Sequence, residues 1–278
     1  MNNVKTVGLL AFMGALLAFI AMSLGQSIWV GLGIAAVFNL GAYFFSDRLA
    51  LAASHARPVE EHELPQVYAI MRNLCTQAQM PVPRIHIIDS PQPNAFATGR
   101  NPKHAAVAVT TGILSVMTYE ELQGVLAHEL AHVRNRDILI SSIAAMIGAA
   151  ISILARSALW FGGGRGRQSP FGAIGAILAL IVGPLAAMFI RMGISRAREY
   201  QADRSGAELT GQPMQLAAAL AKIGEATARI PMRVDPAVSQ LFIDNPLKAL
   251  RGGGMMSLMS THPPIEERIN RLRLMAGR

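Results

Sequence analysis

The chain has 278 residues, of which 52% are hydrophobic and only 15% charged, with a mean hydropathy of +0.36 and a formal net charge of +8. That is too apolar for an ordinary water-soluble domain. The basic excess would suit a nucleic-acid partner, but its placement excludes one. Lys5, Arg48, Arg57, Arg134, Arg136, Arg191, Arg196 and Arg198 lie near the ends of apolar runs, and no basic strip is interleaved with aromatics. Cations so placed fit a topology signal and contact with anionic lipid headgroups.

In chain order, residues 7–22 carry no charge, and residues 28–45 hold Asn39 as their one polar interruption. A helix of 18 to 20 residues covers roughly 27–30 Å, the hydrocarbon thickness of a bilayer. A cleaved signal peptide is the alternative for the first run. No small-x-small cleavage site precedes the second run, which argues against it. Residues 59–80 show helical periodicity through Val59, Leu64, Val67, Ile70, Met71 and Leu74. Residues 84–88 and 105–110 read as strands, and Ala95–Ala97 joins the second of them through a turn-rich stretch at 98–103, forming a hairpin. An exposed edge there could hold a substrate backbone by strand addition, which makes Asn94, Ala95 and Phe96 candidate substrate-binding residues.

Thr118 and Glu121 have the spacing of a capping box, and Leu122, Val125, Leu126, Leu130 and Val133 recur at helical spacing. The pattern predicts a helix from about 119 to beyond 136. On it lies His128-Glu129-Leu130-Ala131-His132. Positions i and i+4 share a helix face, so both imidazoles can ligate one Zn²⁺ per subunit. Glu129, between them, can reach a water held by that metal and act as general base. A catalytic zinc needs a third protein ligand. Glu199 is the candidate, and Asp203, one turn on, is placed to accept a hydrogen bond from a ligand histidine.

Residues 138–155 and 171–190 are again uncharged. The run 171–190 is apolar all round and reads as a span; the run 138–155 is a third span or a membrane-embedded hairpin partner that stops short of crossing. An even number of spans must separate His132 from Glu199 if they share a metal, and this hairpin satisfies that. The loop between the first two runs is uncharged, and that between the last two holds Arg165 and Arg167. The larger set of cations lies on the opposite side, which puts both termini and the catalytic residues in the cytoplasm. The lone Cys75 cannot form an internal disulfide, in keeping with a reducing compartment. His55, His62, His86 and His104 lack ligand spacing. Near the C-terminus, the run from Pro213 to Ala228 predicts a helix, residues 246–264 a mobile loop, and Pro264-Ile265 opens an amphipathic helix. His262 could donate to the oxyanion of a tetrahedral intermediate, with Arg268 in support; a loop histidine and a surface arginine are the plain alternative.

The expected architecture is a mainly α membrane protein: four transmembrane helices plus a cytoplasmic α+β metalloprotease domain with a small sheet. Residues 1–46 form two N-terminal spans, 47–137 the first catalytic part, 138–192 a membrane hairpin, and 193–278 the second catalytic part with the third ligand. The ordered set of Asn94-Ala95-Phe96-Ala97, His128-Glu129-Leu130-Ala131-His132, Arg198-Glu199-Tyr200-Gln201-Ala202-Asp203 and His262-Pro263-Pro264 resembles the integral-membrane zinc proteases of the HtpX type, to which the CAAX prenyl proteases are more distantly related. The resemblance implies a gluzincin-like catalytic core, residence in a bacterial inner membrane, and polypeptide substrates among misfolded membrane proteins under stress. It also implies a transition-state role for His262. A processing protease for one defined substrate, and a scaffold with a vestigial zinc site, are the alternatives; an intact Glu129 counts against the scaffold.

Overall fold

The computed structural model describes residues 2–23, 25–145, 196–236, 238–250 and 263–277. Two long helices open the chain, α1 (Asn2–Ser23) and α2 (Ile28–Ala53), joined by a short turn in which Gly25 adopts φ 77°. They touch closely at Gly31, where an added Cβ would lie 2.8 Å from the Cα of Ala18. The one polar residue of the α2 run, Asn39, donates through Nδ2 to the Leu10 carbonyl at 3.1 Å across the helix pair, while its Oδ1 is buried with no partner among the described residues. The outer face of α2 leaves Trp29, Val37, Leu40, Phe44 and Phe45 exposed. A contiguous apolar face on a helix of 26 residues suits lipid contact, and α2 is long and apolar enough to cross a membrane. The predicted spans 138–155 and 171–190 lie outside the described residues, apart from a helical stretch through residue 145.

The last turns of α2 rise out of the apolar run and pack Ala50 and Leu51 onto a sheet. Its strands are β1 (Arg57–Pro58), β2 (Arg84–Ile88), β3 (Ala95–Gly99) and β4 (Ala105–Thr110), in spatial order β1-β2-β4-β3. β2 and β4 run parallel; β1 and β3 flank them antiparallel, so the expected hairpin is present and β3 is an edge. Successive side chains of a strand alternate faces. In β4, Ala105, Val107 and Val109 join the main core, while Ala106 and Ala108 face Ala50, Leu51 and Phe96 on the other side. Both faces are covered, which is why β4 carries no polar residue before Thr110. Gly99 at the hairpin turn has φ 135°, and a Cβ there would lie 2.4 Å from the His104 carbonyl oxygen. Only glycine fits.

Helix α3 (Pro65–Ala78) packs Val67, Ile70, Met71 and Leu74 into the main core. It starts six residues later than the periodicity predicts. Val59 instead extends the β1 pairing, donating to the Ile85 carbonyl at 3.1 Å, and proline takes the first helical position. After the short α4 (Thr111–Val116) comes α5 (Tyr119–Arg134), with the Thr118–Glu121 capping box complete. The expected run of this helix past 136 is corrected. Asn135 and Arg136 close it by donating to Ala131 and Val133, Arg136 turns left-handed at φ 57°, and a new helical stretch begins at 137. Helices α6 (Arg196–Thr210), α7 (Pro213–Arg229) and α8 (Ile265–Ala276) complete the domain, and α5 packs on both α6 and α7.

Candidate active site and metal centre

The site forms where α5 meets α6. Contact between them is backbone to backbone: a Cβ on Gly206 would lie 2.8 Å from the His128 amide nitrogen. That approach brings Glu199 of α6 to the two histidines of α5. The Nε2 atoms of His128 and His132 are 3.2 Å apart. Glu199 places Oε2 3.8 Å from His128 Nε2 and Oε1 3.5 Å from His132 Nε2. One ligand atom from each of the three residues lies within 4.8 Å of the others, so together they could hold a metal ion. Tetrahedral zinc with bonds of about 2.0–2.1 Å separates neighbouring ligand atoms by roughly 3.3 Å. The observed spacings are of that size, and the donor set of two imidazoles and a carboxylate suits zinc.

Behind each histidine stands an aspartate. Asp203 Oδ1 is 3.0 Å from His128 Nδ1, the partner expected from its i+4 spacing to Glu199. Asp137 Oδ2 is 3.2 Å from His132 Nδ1. Sequence reasoning overlooked Asp137; its only local signal is an acid five residues past His132, at the entrance to an uncharged run. Burial acts to lower the His132 pKa, but Glu199, Asp137 and Glu129 outweigh it and raise it to about 9. For Asp203, burial acts upward, yet the Arg268 guanidinium and His128 hold the carboxyl at about 2. Glu129 is buried, which pushes its carboxyl above the ordinary range against the opposing pull of His128 and His132.

Arg268, expected to support the oxyanion donor, lies behind the histidines and Glu199. Its side chain is fully buried and does not line the pocket formed by the described residues. Its Nε and Nη2 donate to Asp203 at 2.8 and 2.7 Å, and Nη1 donates to the Ile243 carbonyl at 3.0 Å. A guanidinium committed in this way buttresses the aspartate behind His128, and its Nη1 also lies 3.6 Å from Glu199 Oε2. His262 lies outside the described residues.

Residues Asn94, Ala95 and Phe96, expected as substrate contacts, lie against residues 242–244. All three are fully buried. Asn94 donates through Nδ2 to the Asp244 carbonyl at 2.8 Å, Ala95 accepts from the Ile243 amide at 3.0 Å, and Phe96 meets the Phe242 ring edge-on with centroids 4.9 Å apart. This part of the edge is covered by residues 239–244, a segment sequence reasoning left unassigned. Next along the strand is Ala97. Since Ala95 turns its carbonyl outward, Ala97 does the same by the period of two. Ala97 lines the pocket with Glu129, Ile138, Ser141, Leu241 and Phe242. The site thus brings a buried carboxyl and three side chains that could hold a metal to the stretch of β3 at Ala97.

A family model described as peptidase family M48 matches residues 61–276. The chain is 49% identical to a protein named Protease HtpX homolog from Syntrophotalea carbinolica over 99% of both chains. It is 47% identical to the protein of that name from Syntrophobacter fumaroxidans over 99% of both, and 48% identical to that from Burkholderia thailandensis over 99% of this chain and 97% of the other. In fold it is similar to the crystal structure of S. mikatae Ste24p, with a TM-score of 0.50 and 20% identity, covering 98% of this chain and 65% of that one. With most of its length matched, the chain belongs to peptidase family M48, as a metalloprotease of the HtpX type.

Proposed function

We propose that this protein is a zinc-dependent, multi-pass membrane endopeptidase, with His128, His132 and Glu199 as the metal ligands and Glu129 as general base. The observation that carries this reading is the ligand spacing beside a buried Glu129. Bound zinc would supply Lewis acidity, polarising a peptide carbonyl and lowering the pKa of water. Glu129, its proton affinity raised by burial, takes the proton from the attacking water and hands it to the leaving amine. Asp203 fixes the ring orientation of His128. The outward backbone groups of Ala97 are suited to pair with an extended substrate, and Leu241 and Phe242 offer apolar surface to its side chains. His262, which precedes the buried Pro263, is the proposed oxyanion donor.

The substrates in this reading are polypeptides, chiefly misfolded or damaged membrane proteins cleared during stress. The enzyme resides in the bacterial inner membrane through four spans, with both termini and the catalytic residues in the cytoplasm. The exposed apolar face of α2 and the charge distribution of the loops support it. Casein hydrolysis by detergent-purified protein, with and without added Zn²⁺, tests the chemistry. Glu129→Gln should retain the metal and lose nearly all turnover; a variant within a few-fold of the unmutated enzyme would show that Glu129 is not the base. A cytoplasm-only reporter fused after Arg278 should be active, and one placed in residues 162–170 should be silent. The reverse pattern would overturn the topology.

A further inference from the structure

We infer that Asp137 is a positioning residue for the metal ligand His132, and that its pairing with Arg198 ties the metal centre to both ends of the segment 138–192. The inference rests on the zinc reading above. An imidazole offers one nitrogen to a metal, and the N–H on the other needs an acceptor that fixes tautomer and ring orientation. His128 finds this acceptor in Asp203 and His132 finds it in Asp137, at 3.0 and 3.2 Å. Each aspartate also has a buried arginine close by: Arg268 for Asp203, and Arg198, whose Nε is 3.8 Å from Asp137 Oδ1. Asp137 is 4% and Arg198 8% exposed. The second set repeats the first with different elements.

The chain makes a special turn to produce it. On an uninterrupted helix, five residues at about 100° each would put Asp137 roughly 140° around the axis from His132, out of reach. The break after Arg134 and the left-handed Arg136 at φ 57° swing Asp137 back under the ring. No glycine relieves that backbone, so the surrounding structure holds it there. Asp137 is the last residue before the segment 138–192. Arg198 follows that segment and immediately precedes Glu199. One ion pair therefore joins the chain entering the segment to the chain leaving it, touching a metal ligand on each side. A shift of either end would move His132 or Glu199.

The test uses full-length protein in detergent and reads zinc affinity by competition with a fluorescent chelator. Thermal unfolding of the metal-free protein is followed in parallel. Asp137→Asn should weaken zinc binding by ~10–100-fold, while still binding one zinc at saturation. Asp137→Glu should recover part of the loss, because it restores the charge at a longer reach. Arg198→Gln should weaken binding in the same direction but less. A purely structural pair would lower the unfolding temperature and leave the zinc dissociation constant of the folded protein unchanged, and that result in Asp137→Asn overturns the proposal. If Asp137→Asn does not fold, Arg198→Gln decides: an unchanged dissociation constant removes the tie to the segment. His128→Ala serves as control. Full zinc retention in that variant would mean that the ligand assignment itself has failed, independently of Asp137.

Discussion

Replacing Arg268 with methionine removes a charge from a site that water does not reach. The guanidinium is fully buried and makes two hydrogen bonds to Asp203 and one to the Ile243 carbonyl. Asp203 is itself 3% exposed, so the variant leaves a carboxylate and a carbonyl with a missing donor in a dry interior. Breaking a buried ion pair from one side costs about 3–5 kcal/mol. At about 2–4 °C per kcal/mol for a chain of this size class, the unfolding midpoint should fall by roughly 6–20 °C. Cys75, the sole cysteine and buried, makes the assay simple: a thiol-reactive dye gains fluorescence as heating exposes it. The pH dependence has a definite sign. Arg268 and His128 hold the Asp203 carboxyl at about 2, against an ordinary 3.8. The stabilisation from this depression is present above pH 3.8 and is lost as pH falls toward 2. Without Arg268, burial dominates and favours the protonated acid, so the deficit of Arg268→Met should shrink as pH drops from 7 toward 4. Asp203→Asn combined with Arg268→Met should be less damaging than the sum of the two single changes. A loss below about 1 kcal/mol at pH 7, or strict additivity in the double variant, would refute the reasoning.

Other expectations address the centre directly. Glu199→Ala should yield protein with far less than one zinc per chain by metal analysis; full retention would remove Glu199 as third ligand. His262→Ala should lower kcat by roughly 10²–10³ while zinc content stays near that of the unmutated protein. Loss of zinc would make His262 a ligand, and no change in either would make it a bystander. Gly206→Val inserts atoms where even a Cβ lies 2.8 Å from the His128 amide, so it should part α5 from α6. A destabilisation of about 1–3 kcal/mol with weakened zinc binding is expected, and unchanged zinc affinity would mean that the helix contact does not set the ligand geometry.

What the sequence revealed was what local periodicity can encode. The spacing of His128 and His132, of Glu199 and Asp203, and of Thr118 and Glu121 follows from the helix repeat: the two histidines meet, Thr118 and Glu121 close the capping box, and Glu199 and Asp203 both face His128. The β3–β4 hairpin was legible because its turn residues and alternating faces are also local. The remainder depended on partners distant in sequence. Asp137 reaches His132 only through the left-handed turn at Arg136, which no nearby proline or glycine announces. Arg268 looks like a surface residue until Asp203, 65 positions earlier, is placed against it. Asn94 and Phe96 read as exposed-edge residues because nothing nearby indicates that residues 242–244, about 150 positions later, will cover them.

The separation of the ligands along the chain also bears on how the enzyme comes into being. His128 and His132 lie on one side of the segment 138–192, Glu199 and Asp203 lie beyond it, and Arg268, 140 positions after His128, completes the buried network near the C-terminus. On the proposed assignment, a ribosome that has released only α5 has made two ligands and a base without the third ligand. Loop closure over so long a stretch adds little further entropic cost per added residue, but it cannot precede synthesis. Catalytic competence therefore arrives late in biogenesis, after that segment has been made and α6 and α8 have docked. On that assignment the nascent protease should be inert while its own unfolded chain is the nearest available substrate.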